Sequence, residues 1–306
     1  MNELNHRSRP VATAPSCADC GGGHLRSLGR LPDVAFFAGR ALAQPLPGGE
    51  LLHCPRCDLR LRWPCLADYD ALYDNTAVDA WAGGALRTDQ RLVQALVEAE
   101  AGATSVLDFG CYTGGLLTQL PAPLVKFGVE VAQAAAARAE ATAGARVVSK
   151  LDEFPPDLRF DLVLAMDVIE HVPSPRALLA ALLARLSPGG SLVVTTGDGG
   201  NALWRAVGSR WWYCCYPEHI TFISARWLRF HAPALGARVQ LLQAFNYLDA
   251  QSVGARIKRW RGWLEYLARP GHHARKRAQH LARHRSDLGV PGLGLSRDHL
   301  LLKLTR

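Results

Sequence analysis

No apolar run in this 306-residue chain approaches the roughly 18 residues of a membrane span, because the stretch ALLAALLA is stopped by Arg185. A spanning helix is therefore not expected. The start, MNELNHRSRP, lacks the apolar core of a secretion signal, and the expected location is the cytoplasm. Internal repeats are missing, and so are long low-complexity tracts apart from the alanine-rich AQAAAARAEATA, which excludes a repeat array. Net positive charge is confined to one segment. Ten Lys/Arg face Glu265 alone between Gln251 and Arg285, a local charge of +9 that leaves about −1 for the rest of a chain whose net charge is +8.

What is present bounds the answer. With 49% hydrophobic and 20% charged residues, the composition is that of a globular protein of one or two domains. Residues 1–67 are rich in Gly and Pro and hold two spaced cysteine pairs, Cys17/Cys20 in CADC and Cys54/Cys57 in CPRC. Each CxxC turn presents two sulfurs at the separation zinc requires, so these four are expected to hold a structural Zn2+. The 33 residues between the pairs are easily closed, and redox exchange of the thioredoxin kind is disfavoured because neither pair follows a strand in that pattern. His24 and His53 are expected to stay solvated, and Cys65, Cys111, Cys214 and Cys215 lack partner spacing.

A helical lead-in covers 68–102. Strands and helices then alternate: TSVLDFG, KFGVEV, ARVVSK, FDLVLAMD and SLVVTTG read as buried parallel strands, and GGLLTQL, AQAAAARAEATA and PRALLAALLARL as helices. This predicts an α/β fold, a Rossmann-like doubly wound, mostly parallel sheet over 103–250. SPGG at Ser187–Gly190 reads as a helix stop and turn, and DHLLLKLTR as a last strand within 251–306, after a basic helical insertion.

The stretch VLDFGCYTGGLL puts small residues at the first strand-to-helix turn, where a nucleoside cofactor needs close backbone approach. Gly110, Gly114 and Gly115 supply that approach. Glu130 ends the next strand, 22 positions after Asp108, where a carboxylate can accept both ribose hydroxyls. A nicotinamide dinucleotide would fit that pairing, but the loop reads D-x-G-x-x-x-G, and Asp108 suits a cationic ligand better than a pyrophosphate.

Together with FGVEVAQAAAARA, FDLVLAMDVIEHVPSPRALLAALLARLSPGGSLVVTTGD and PEHITFISARWLRF, this stretch resembles the class I S-adenosylmethionine-dependent methyltransferases, and more narrowly the bacterial members with a two-CxxC zinc module in front. The resemblance implies that Asp108, Gly110, Cys111 and Gly114 cradle the methionine part of S-adenosyl-L-methionine and that Glu130 and Val131 meet the ribose. It implies further that the turn carrying Asp152 faces adenine and that Asp167 lines the methionine and acceptor side. Two departures stand out: Tyr112 replaces the usual middle glycine, and Lys150 stands where an adenine-binding Asp is often found, leaving Asp152 or a backbone amide for that contact.

Methyl transfer to a hydroxyl needs alignment and a base for the proton. His219, in YPEHITF after the aromatic loop, and His171, after the fourth strand, are the candidates, each also readable as a hydrogen-bonded loop histidine; His219 is the choice. Asp167, Glu170 and His171 further resemble the D/E-x-x-E-H arrangement of ubiquinone-type O-methyltransferases, in which a divalent metal assists. The aromatic cluster Trp204, Trp211, Trp212, Tyr213 and Tyr216 suits a flat or sugar-ring acceptor, or simply packs on the sheet.

The expected function is methylation of a small acceptor: a sugar, nucleotide-sugar or natural-product hydroxyl, free or lipid-linked. In VGARIKRWRGWLEYLARP the residues Ile257, Trp260, Leu264 and Leu267 share one helical face among arginines, so 253–285 reads as a surface helix, an anionic-membrane contact or a phosphate contact. RNA methylation is the alternative, disfavoured because AMDVIEH stands where a base-methylating N/D-P-P-Y tetrapeptide would follow the fourth strand. A non-catalytic zinc and RNA adaptor is the third reading.

Overall fold

The computed structural model describes residues 16–37, 40–65, 87–247, 253–269 and 296–306. The first part of the expected lead-in and the basic segment past residue 269, with His280 and His284, fall outside them.

The amino-terminal part is built from β1 (Arg26–Arg30), β2 (Val34–Phe37), β3 (Arg40–Leu46), β4 (Glu50–His53) and β5 (Arg60–Trp63). β2 and β3 form a hairpin, while β1, β4 and β5 form an antiparallel sheet. The chain then supplies α1 (Thr88–Glu98), β6 (Ser105–Phe109), β7 (Val125–Val129), α2 (Gln133–Ala143), β8 (Arg146–Val148), β9 (Phe160–Met166), α3 (Pro175–Ala184) and β10 (Leu186–Gly197). α4 (Ala202–Val207), β11 (Thr221–Phe222), α5 (Ala225–His231), β12 (Arg238–Phe245), α6 (Val253–Ala268) and β13 (His299–Thr305) follow. Among the described residues no helix is long and apolar enough to cross a membrane.

The central sheet runs β12–β13–β10–β9–β6–β7–β8, with β13 antiparallel to its neighbours and the others parallel. This is the expected α/β, Rossmann-like architecture. Its strands are apolar on both faces because both are covered. In β9, Val163 and Ala165 join the core on one face, with Leu179, Leu182 and Trp227, while Leu162 and Leu164 join the core on the other, with Val93 and Val97 of α1. Cys17, Cys54, Cys57 and Leu59 belong to the first core, so the cysteine region packs directly on the sheet's helical layer.

Two local expectations changed. GGLLTQL forms only a 3-10 turn at Leu117–Gln119, since glycines open the stretch and Pro121 closes it. SPGG does not end before a strand; it lies inside β10 as a register shift between Leu186 and Ser191. The amino-terminal sheet also recruits a strand from the α/β half, with β11 pairing Thr221 to Leu61 and Phe222 to Arg60 of β5.

Candidate active site

From β6 the sheet grows one way through β7 and β8 and the other way through β9 and β10, so the carboxyl ends of β6 and β9 border the crevice where doubly wound sheets bind ligands. Asp108, Glu130 and Asp167 stand at the ends of β6, β7 and β9. Gly110 takes φ +83°, and a Cβ there would come within 2.5 Å of Val168. Gly114 at φ +75° would press a Cβ to 3.0 Å from the Ala139 backbone, so it lets the turn sit on α2. Tyr112 and Asp167 also adopt left-handed backbone, at φ +47° and +51°, which places strain at the rim of the crevice.

The charges there are unusual. Burial, reinforced by Glu130, lifts the Asp108 carboxyl to about 7 against the opposing pull of Arg87. Glu130 accepts from the Tyr112 amide at 2.9 Å and the Ala132 amide at 2.8 Å, which leaves each oxygen a second acceptor position for ligand hydroxyls. Asp167 Oδ2 takes the Arg87 guanidinium at 2.9 Å, while its buried Oδ1 has no partner among the described residues. A ligand bearing a cation and a ribose fits this set: it would give Asp108 a counter-charge, Asp167 Oδ1 a donor and Glu130 two hydroxyls.

The remaining cofactor expectations sit as follows. Cys111 turns its thiol under β7, where Gly128 leaves room for Sγ, so only its backbone borders the crevice. Val131 is half-buried at the turn into α2. Asp152 is exposed on a 3-10 turn, Leu151–Glu153, beyond β8.

His219 is buried, with Nδ1 2.9 Å from the Tyr213 carbonyl. A carbonyl only accepts, so Nδ1 carries the proton and Nε2 keeps a lone pair. Burial holds the ring's pKa well below its usual value and keeps it neutral near pH 7. His171, lowered to about 4 by burial, hydrogen-bonds with the backbone of Asp167 and of Glu218 and stands edge-on to His219 at 4.9 Å. These bonds give His171 a loop-tying role. Glu170 is buried, accepts from the Tyr213 hydroxyl and from Thr196 Oγ1 at 2.9 Å, and is pushed up to about 8 chiefly by burial.

Glu170, His171 and His219 bring ligand atoms within 4.8 Å of one another. Each Glu170 oxygen already accepts one hydroxyl, from Tyr213 or from Thr196, and Asp167, the remaining member of the expected trio, pairs with Arg87 through Oδ2.

The two cysteine pairs form equivalent knuckles. Gly21 N–H donates to the Cys17 carbonyl and Asp58 N–H to the Cys54 carbonyl, both at 2.8 Å. The residue after each second cysteine is left-handed, Gly21 at φ +70° and Asp58 at φ +69°. Sulfurs of Cys17 and Cys57, and of Cys20 and Cys54, lie 3.5 Å apart, and all four fall within 4.8 Å of one another. Four thiolates about 2.3 Å from a tetrahedral ion are spaced this way, so the donor set fits zinc. His53 bonds Asp58 at 2.7 Å and stays outside the cluster.

Several site residues escaped sequence reasoning. Arg87, ahead of α1, pairs with Asp89 at 2.6 Å and with Asp167. Buried Arg62 donates to the carbonyls of Gly48 at 2.9 Å, Cys214 at 2.8 Å, Tyr216 at 3.0 Å and His219 at 3.3 Å, clamping the aromatic loop. His299, at the start of β13, lies fully buried between Tyr247 and Trp212, with Nδ1 3.3 Å from Asp298 and Nε2 unpartnered among the described residues.

The family profile described as "Methyltransferase domain" matches residues 81–242. A ubiquinone biosynthesis O-methyltransferase of Bradyrhizobium sp. (strain ORS 278) is 39% identical over 98 residues, 30% of this chain and 39% of that protein. The chain thus spans about two-fifths of the length of the curated relatives it matches. Among solved structures, a complex of the Haloferax volcanii Trm112 methyltransferase activator with a methyltransferase aligns at 17% identity and TM-score 0.49, covering 78% of this chain and 97% of that one. A SAM-dependent methyltransferase from Geobacter sulfurreducens in complex with S-adenosyl-L-homocysteine aligns at 14% identity and TM-score 0.42, covering 74% and 94%.

Proposed function

We propose, since the chain belongs to the methyltransferase-domain family, that it transfers a methyl group from S-adenosyl-L-methionine to a hydroxyl of a small acceptor. The observation that carries the reading is His219, a buried neutral imidazole whose Nδ1 is committed to the Tyr213 carbonyl and whose Nε2 keeps its lone pair. The donor, when bound, supplies an activated sulfonium methyl. Asp108 and Asp167 would face its cationic end and Glu130 its ribose. His219 Nε2 would take the acceptor's proton as the oxygen accepts the methyl group, while Arg62 and the Tyr213–Glu170 bond hold the loop that carries it. Ring neighbours Tyr213, Tyr216 and Trp212 suit an acceptor with a flat or sugar-ring face.

Cys17, Cys20, Cys54 and Cys57 would hold a structural zinc ion in the unit over 1–67 ahead of the methyltransferase domain at 103–250. The exposed row Val253, Ile257, Trp260, Leu264 and Leu267 on α6, beside the buried Trp263 and Tyr266, supports contact of the basic segment with an anionic membrane surface, as a lipid-linked acceptor would require.

The test is His219→Ala, assayed with labelled donor against sugar and natural-product hydroxyl panels. Turnover should fall about 10²–10⁴-fold, the usual worth of a positioned base, with donor affinity kept. A fully active variant removes His219 from the chemistry.

A further inference from the structure

Each cysteine knuckle carries an aspartate that reaches the N-cap of a helix in the α/β half. Asp19, inside the first CxxC and 3% exposed, accepts from Ser174 Oγ at 2.7 Å, from the Arg176 amide at 3.3 Å and from Trp227 Nε1 at 2.8 Å. Asp58, directly after the second CxxC, accepts from Ser224 Oγ at 2.5 Å and is braced by His53 at 2.7 Å.

Ser174 and Ser224 are themselves the caps of α3 and α5, accepting from the Ala177 amide at 3.2 Å and the Trp227 amide at 3.1 Å. A hydroxyl has one proton. Giving it to the carboxylate turns the oxygen's lone pair toward the helix amide, so each aspartate orients a cap as well as occupying it.

The two caps follow the two histidine loops: Ser174 lies three residues after His171, and Ser224 five after His219. The loops are also joined to each other, by the Ile220 amide on the Glu170 carbonyl at 2.8 Å and by Thr221 Oγ1 on the Val172 carbonyl at 2.9 Å. Arg226, in the first turn of α5, returns to the Pro55 carbonyl of the second knuckle at 3.1 Å. A knuckle drawn tight around an ion fixes the backbone that aims Asp19 and Asp58. Without the ion, four thiols at this spacing lose what holds them together, and the carboxylates lose their aim.

We propose that Asp19 and Asp58 are positioning residues that transmit ion occupancy at the four cysteines to the loops carrying His171 and His219. The amino-terminal module then sets the geometry of the acceptor site from outside it. This inference rests on the zinc and His219 readings above, so its decisive measurements do not require methyl transfer.

The experiment uses the full chain loaded with zinc. Metal per chain, hydrogen–deuterium exchange of peptides over 168–177 and 213–227, donor affinity and turnover are measured for Asp19→Asn, Asp58→Asn and Ser224→Gly. Each variant should keep about one zinc per chain. Asp19→Asn should speed exchange at least tenfold over 168–177, Asp58→Asn should do so over 213–227, and chelation of the wild type should do both. Turnover should drop about tenfold in each variant while donor affinity stays within twofold, a kcat loss without loss of the cofactor site. Ser224→Gly, which cuts the same link without touching a knuckle, should copy Asp58→Asn.

Unchanged exchange in zinc-retaining variants overturns the proposal. So does zinc loss in Asp58→Asn beside a silent Ser224→Gly, because the carboxylate would then serve the module alone. If the wild type transfers no methyl group to any acceptor, the function above fails while the exchange data still decide this point.

Discussion

Burial and Glu130 lift the Asp108 carboxyl of the free protein from the usual carboxylate range to about 7. A cationic donor bound beside it favours the carboxylate, so binding must expel the proton. At pH 7 about half the molecules carry that proton, and about half a proton should be released per donor bound; at pH 6 the release should approach one. Apparent affinity should therefore fall about tenfold from pH 8 to pH 6.

The stability sign follows from the same shift. A carboxyl whose folded value is raised contributes stability below its unfolded value and loses it as pH rises toward about 7. The free protein should thus melt lower at pH 8 than at pH 6 on account of this group, and saturating donor should remove that slope. The assay is calorimetry of donor binding in buffers of different ionisation enthalpy, run beside Asp108→Asn. That variant should bind more weakly and release no proton from this position. Equal proton release in wild type and variant, or affinity flat between pH 6 and 8, refutes the reasoning.

Arg62→Met strips the donors from four loop and turn carbonyls in a buried position and should cost about 3–5 kcal/mol, seen as a loss of roughly 6–20 °C in melting temperature; a shift within 2 °C would show that the clamp is dispensable. Trp260 and Leu264 are more than half exposed on α6. The pair Trp260→Ser/Leu264→Ser should therefore abolish flotation with phosphatidylglycerol vesicles without changing the melting temperature. Wild-type binding to neutral phosphatidylcholine vesicles alone, or none to either, would contradict the anionic-surface reading.

The sheet was legible because its strands are short apolar runs separated by helical stretches, a pattern local to the chain, and the knuckles because CxxC spacing is itself the chemistry. Asp108 and Glu130 were legible for the same reason: a strand-end carboxylate and a following turn are neighbours in sequence. Arg62, Arg87 and His299 were not, because each reaches the site across long sequence separations. Arg62 meets a loop some 150 residues away, and His299 arrives only because β13 runs antiparallel and so begins at the catalytic edge. The pairing of β11 with β5 was hidden likewise, since a two-residue strand gives no periodicity to read.

The central claim is that the crevice at the ends of β6, β7 and β9 holds a nucleoside bearing an amino-acid tail. Titration of S-adenosyl-L-homocysteine into the wild type and into Glu130→Ala tests it most directly. Saturable one-to-one binding, weakened at least tenfold when the Glu130 carboxylate is removed, is the expected result; no saturable binding of the nucleoside to the wild type would contradict it.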